Sequence, residues 1–279
     1  NITFDDAGLS PDFTLTYGNN SVNLVSDGNG QYDDIILNSG ASVVFNNTGG
    51  GHFNNYNDIT LTTFNTLELV AWRESTITGT FTASVGCDAW GIVRSSVQGA
   101  QANITFSSAQ TWDNIVVQDL NVRENVAGLD DLTITSGVNL RNLTDTDDSD
   151  GFRTINITER ERLNFYWTGA ADNNWSTAGN WLEEDPVAAP GVLNLTSCVP
   201  NPIDNVFIRE GDLDANWLAR GNELSINIAN AACFSMTWDL GTTNASLSSS
   251  NVENRLMIFN NLTWDDNITN NFYGILEFQ

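Results

Sequence analysis

The sequence contains no lysine. Its 10 basic residues are all arginine, against 35 acidic ones, and the formal net charge is −25 at pH 7. Without lysine there is no Schiff-base catalysis and no phosphate-cradling Gly-Lys-Ser/Thr loop. A lysine–asparagine isopeptide staple is excluded too. Arginines scattered through an acid-rich chain build no phosphate-binding patch, which excludes nucleic acid as a partner. Anionic membrane surfaces repel the same charge. Histidine is almost as scarce. His52 sits in the glycine-rich stretch Gly49-Gly50-Gly51-His52 and reads as a loop residue, although any Ser-His-Asp triad would have to use it. Cys87, Cys198 and Cys233 with one histidine cannot make a zinc site of the usual spacing. No apolar run reaches membrane-spanning length, so no membrane insertion is expected. With these routes closed, no catalytic set stands out, and the chain is expected not to be an enzyme.

What the sequence does hold is β-patterning. Of its 279 residues, 41% are hydrophobic and only 16% charged, enough to bury one core or two. Period-two alternation dominates: Phe13, Leu15 and Tyr17; Ile77, Phe81 and Val85; Ile104 and Phe106; Leu132 and Ile134; Ile155 and Ile157; Leu224, Ile226 and Ile228; Phe234, Met236, Trp238 and Leu240. Turn chemistry separates these runs, as in Asp27-Gly28-Asn29-Gly30, Asn38-Ser39-Gly40 and Thr135-Ser136-Gly137. Helix is nearly absent; only Leu213–Leu218 reads as a turn or two. The chain holds 38 asparagines, and Asn tolerates the left-handed backbone that solenoid corners require and stacks in ladders. An all-β fold of about twenty short strands follows, a right-handed parallel β-helix or solenoid, with stacked β-sandwich domains as the alternative. Strand patterns at both ends and no initiator methionine point to a segment of a longer polypeptide.

The densest charge cluster, Glu159-Arg160-Glu161-Arg162, precedes a tryptophan-rich stretch and sets a domain edge near residue 163. That gives a β-rich domain over 1–163 and a second over 164–279. The second opens on Tyr166-Trp167-Thr168-Gly169, continues to Trp175 and Asn180-Trp181, and then reaches Cys198-Val199-Pro200-Asn201-Pro202-Ile203-Asp204-Asn205-Val206. Cys233-Phe234-Ser235-Met236-Thr237-Trp238 and Asn270-Asn271-Phe272-Tyr273-Gly274 follow. This order resembles a repeat of giant secreted surface proteins of Bacteroidota, including gliding-motility adhesins and related appendage proteins. Residues 106–117 look like the later part of such a repeat, so 1–163 reads as the tail of one unit and 164–279 as the head of the next. The resemblance implies export by the type IX system, an extracellular, cell-surface location, and a role in adhesion or appendage construction.

Read from the residues alone, Trp167, Trp175 and Trp181 form a buried cap sealing a β-core, with a sugar-stacking platform as the alternative. Cys198 and Cys233 bracket a loop of about 35 residues, whose closure by a disulfide would stabilise by roughly 3–4 kcal/mol. Export makes that bond plausible and leaves Cys87 as the odd thiol. No cofactor is expected. Calcium is the one candidate cation, at Asp145, Asp147, Asp148 and Asp150, which alternate before Gly151. In the EF-hand register, however, the ligand positions one and twelve fall on Thr146 and Ile157, and Ile157 offers no carboxylate. The functional expectation is a structural or adhesive segment of a large extracellular fibre or appendage. Its partners would be copies of itself, neighbouring domains of the same long chain, or cell-surface glycans. The rival is a carbohydrate-binding or carbohydrate-active β-helix module.

Overall fold

The computed structural model describes residues 2–3, 21–26, 30–37, 42–47, 54–61, 66–84, 87, 90–123, 132–145, 155–184, 193–195, 198–228 and 230–278. The chain divides into two compact units. The first comprises Asn1–Gly86 and Trp90–Arg160, the second Cys87–Ala89 and Glu161–Gln279.

The first unit contains β1 (Ile2–Thr3), β2 (Ser21–Ser26), β3 (Gly30–Leu37), β4 (Ser42–Asn47), β5 (Asn54–Leu61), β6 (Thr66–Leu69), β7 (Glu74–Ile77), β8 (Phe81–Ser84), β9 (Gly91–Ser95), β10 (Ala102–Phe106), β11 (Gln110–Asp113), β12 (Ile115–Arg123), β13 (Leu132–Asp145) and β14 (Ile155–Glu159). Every described ladder in it is parallel and joins strands about one coil apart in sequence, such as β6 to β9, β9 to β12 and β12 to β13. A β-sandwich is built from antiparallel sheets, so the parallel ladders decide for the β-solenoid. Inside, like stacks on like: Val93 pairs with Val117, Ile104 with Val122, and Phe106 with Ile77. All six are buried, and each contributes about 1.5–3 kcal/mol relative to exposure. Trp112 fills a further layer, 4.6 Å from Phe81 and 6.0 Å from Phe106, and its Nε1 donates to the Phe81 carbonyl.

Two long strands turn corners without ending. Residues 115–118 of β12 pair with β9, whereas 120–123 pair with β10, and the change of face falls on Asp119 at φ 55°. In β13 the equivalent bends are Ser136 at φ 50° and Asn142 at φ 52°. Thr135-Ser136-Gly137, expected as a turn between strands, is therefore a corner inside one. The expected continuous run from Ile77 to Phe81 is instead broken, because Thr78 and Gly79 donate back to the carbonyls of Tyr56 and Asn57 in the neighbouring coil. The patterns around Phe13–Tyr17, Asp27–Asn29 and Asn38–Gly40, and residues Val85 and His52, lie outside the described residues.

The second unit is a three-sided coil stack with a cap. After β15 (Asn164–Trp167), β16 (Trp181–Glu184) and β17 (Leu193–Leu195), each full coil supplies one strand to each of three sheets. The first coil holds β18 (Asn205–Arg209), β19 (Glu223–Ile226) and β20 (Asn230–Cys233). The second holds β21 (Ser235–Asp239), β22 (Ala245–Ser249) and β23 (Arg255–Ile258). The third holds β24 (Leu262–Thr263), β25 (Ile268–Asn271) and β26 (Ile275–Phe278). Coil-to-coil pairing is parallel on all three sides. Only the cap is antiparallel, where β16 pairs with β15 and β17. The expected helical turn is α1 (Ala215–Ala219), its N-cap Asp214 accepting from the Asn216 amide.

Candidate functional site

The cap is built around indoles. Trp167, Trp175, Trp181 and Trp217 are all completely buried. Trp181 stands edge-on to Trp167 and Trp175 at 4.9 Å each, and its Nε1 donates to the Trp175 carbonyl. The Trp217 Nε1 donates to the Glu223 carbonyl. Gly169, at φ 64°, passes so close that a Cβ there would run into the Trp217 indole, which explains glycine after Trp167-Thr168. None of these rings presents a face to solvent, so none can stack on a sugar. Asn180 holds the loop between the tryptophans. Its Oδ1 accepts from the amides of Ala171 and Asp172, and its Nδ2 donates to Asp172 Oδ1 and the Asn174 carbonyl. The cap then reaches over the first coil on two sides: β15 pairs with β18, and Asn174 bridges to Ser225 of β19.

The cysteine expectation is corrected. Cys198 pairs with Cys87, with a Cα–Cα distance of 4.8 Å, and Cys233 is a buried free thiol. Cys233 closes β20, whose four residues are all buried, and its sulfur belongs to the core. Cys198 lies ahead of β18 beside residue 87, where the Val199 amide donates to the Cys87 carbonyl. Burial, reinforced by the Asp204 carboxylate, pushes the Cys233 thiol far up. An alkylating reagent should therefore label no cysteine in the native chain, one after unfolding without reductant, and all three after unfolding with reductant, counted by intact mass. Among the calcium candidates, Asp147, Asp148 and Asp150 lie outside the described residues, and of Asp145 only the backbone at the end of β13 is described. No cluster of metal-ligating side chains occurs among the described residues.

A different site emerges in the first unit. Trp72 (φ 59°), Gly99 (φ 82°), Asp119 and Asn142 occupy corresponding left-handed corners of successive coils. Three of these corners, Trp72, Gly99 and Asn142, line a groove of about 570 Å³ together with Ala100, Gln101, Asn103 and Thr144. The corners are fastened to one another. The Trp72 amide donates to the Gln101 carbonyl at 2.7 Å, and the Gly99 amide to Asp119 Oδ2 at 2.9 Å. Gln101 Nε2 lies within bonding distance of the Asn142 carbonyl and Thr144 Oγ1. Beneath runs a polar ladder in which Thr144 Oγ1 donates to Asn121 Oδ1 and Asn121 Nδ2 donates to Asn103 Oδ1.

Asp119 is the buried anchor of this column. Arg141 grips both its oxygens, at 3.1 and 2.7 Å, and Asn142 Nδ2 adds a third contact. Burial alone would raise its pKa. The bonds from Arg141, the Gly99 amide and Asn142 together outweigh burial and hold it below the ordinary 3.8. Asp172 in the cap follows the same pattern: burial opposes, and the donors Asn174, Asn180 and Thr177 win. Both folded pKa values are depressed, so the stability these groups contribute is present above about pH 4 and disappears as pH falls through the folded values. Denaturant midpoints should drop between pH 5 and pH 2–3. Asp119→Asn and Asp172→Asn should each flatten that slope.

Sequence reasoning missed the groove. The available signal was Trp72 itself, which lies outside any Gly-Asn cluster, directly before Arg73-Glu74 and between two strand patterns. Comparison with protein-family models, curated proteins and solved structures finds no match.

Proposed function

We propose that this chain is a structural or adhesive segment of a large extracellular surface fibre or appendage protein. The observation that carries this reading is the asymmetry of the second unit. One end of its coil stack is sealed by the tryptophan cap. At the other, β24, β25 and β26 are the outermost strands of their three sheets, and Trp264, Tyr273, Ile275, Leu276 and Phe278 are exposed there. Unpaired strand edges bearing apolar side chains are templates for further pairing. A stack covered on one side and open on the other suits a linear array, in which a neighbouring domain of the same long chain or another copy covers the open coil. A stiff parallel stack also gives reach away from a cell at little cost in sequence.

The purified chain should associate with rising concentration, as followed by sedimentation velocity, and should coat a surface or form fibres. Leu276→Lys combined with Phe278→Lys should keep it monomeric, because edge lysines block pairing. A wild-type chain that stays monomeric and globular and coats nothing overturns the reading.

A further inference from the structure

We propose that the Trp72 groove is a binding site for a neutral glycan. The inference stands on the groove alone, whether or not the chain serves in a surface fibre. Trp72 is the first reason. It is 69% exposed, the most exposed tryptophan among the described residues, and its backbone is left-handed. A bulky side chain in that conformation is a genuine outlier and is disfavoured against Gly, Asn or Asp, which occupy the other three corners of the column. Strain is usually repaid by packing, yet an indole so exposed packs little of its surface. An unfavourable residue that brings no core burial is best explained by what it offers to solvent.

The lining is the second reason. Beside the indole the groove presents the side chains of Gln101, Asn103, Asn142 and Thr144 and no charged group. In a chain of net charge −25 that neutrality is notable: Asp119 is committed to Arg141 and Asn142, and Glu74, the ladder partner of Asn103, to Arg123. With the Gln101 amide nitrogen and the Thr144 hydroxyl engaged within the floor, the Gln101 and Asn142 side-chain oxygens remain as acceptors and the Asn103 amide nitrogen as a donor for the hydroxyls of a sugar, while the flat indole matches the apolar C–H face of a pyranose ring. A volume near 570 Å³ falls in the range of small-ligand sites, and the inter-coil bonds hold the floor in place before anything binds. An anionic ligand would find no cation in the lining and a strongly negative chain around it. The geometry therefore points to an uncharged oligosaccharide.

The test titrates the intact chain with soluble neutral oligosaccharides of glucose, galactose, mannose and N-acetylglucosamine, with oligogalacturonate as the anionic control, by calorimetry. At least one neutral series should bind and the anionic control should not. Trp72→Asn should weaken that binding by about tenfold or more. The same variant should keep or raise the thermal midpoint, because asparagine suits the left-handed corner better than tryptophan. That combination separates lost binding from lost folding. Gln101→Glu, which places a charge in the groove, should also weaken it. The proposal is overturned if no neutral glycan binds, if only the anionic one does, or if Trp72→Asn binds as well as the wild type. Concentration-dependent assembly of the chain is read separately, so failure of the fibre reading and failure of the glycan site are distinguishable.

Discussion

Trp181→Ala will destabilise the second unit by about 3–5 kcal/mol, the usual range for deleting a buried tryptophan. The side chain is fully buried, touches Phe165, Trp167 and Trp175 edge-on, and donates its N–H to the Trp175 carbonyl. Removal leaves a cavity between two indoles held by separate backbone bonds, Trp167 in the β15–β16 ladder and Trp175 by its amide to the Ser225 carbonyl, so collapse is limited. A loss of this size is a large share of the 5–15 kcal/mol that separates folded from unfolded domains. Urea unfolding followed by far-UV circular dichroism should show an early transition absent from the wild type. Asn180→Ala should act in the same direction, because it leaves the Ala171 and Asp172 amides, the Asn174 carbonyl and the Asp172 carboxylate without their common partner. Trp72→Asn, on a solvent-facing indole, serves as the contrast that should not destabilise.

The second large effect is on the disulfide. Cys87 and Cys198 are 111 residues apart, and closing a loop of that size is worth about 4–5 kcal/mol on the chain-entropy model. Cys87→Ser with Cys198→Ser should lower the denaturant midpoint of the second unit by a corresponding amount. Cys233→Ala should cost far less, as it removes only one buried sulfur and no covalent link. If the double serine variant matches the wild type while Cys233→Ala collapses, the assignment of the bond is wrong. An oxidising exterior would keep the link closed.

Period two made the strands legible. Ile104 and Phe106, Leu132 and Ile134, Ile155 and Ile157, and Leu224 and Ile226 all fall inside observed strands. The parallel coil was legible through asparagine, because left-handed corners favour it: Asn114, Asn142 and Asn222 are three of the six non-glycine residues with positive φ among the described residues. The charge cluster Glu159–Arg162 straddles the division between the two units. Other features were hidden for physical reasons. A strand that turns a corner on one residue, as β12 does at Asp119, carries no glycine or proline to announce it. The disulfide partner could not be chosen from spacing, because loop entropy changes only slowly with length and favours neither pairing decisively. The groove is assembled from corners about one coil apart in sequence, and only stacking brings Trp72 beside Gln101 and Asn142.

The parallel register of the second unit also governs how such a protein can change its length. Its first, second and third coils each contribute one strand to every sheet, and the middle coil meets both neighbours through ladders of the same kind. Excising β21 through β23 would bring β24, β25 and β26 against β18, β19 and β20 with direction and face preserved. Adding a coil would work the same way in reverse. The natural quantum of variation is thus a whole turn of chain, not a residue or a domain, and reach can be adjusted turn by turn without designing a new core.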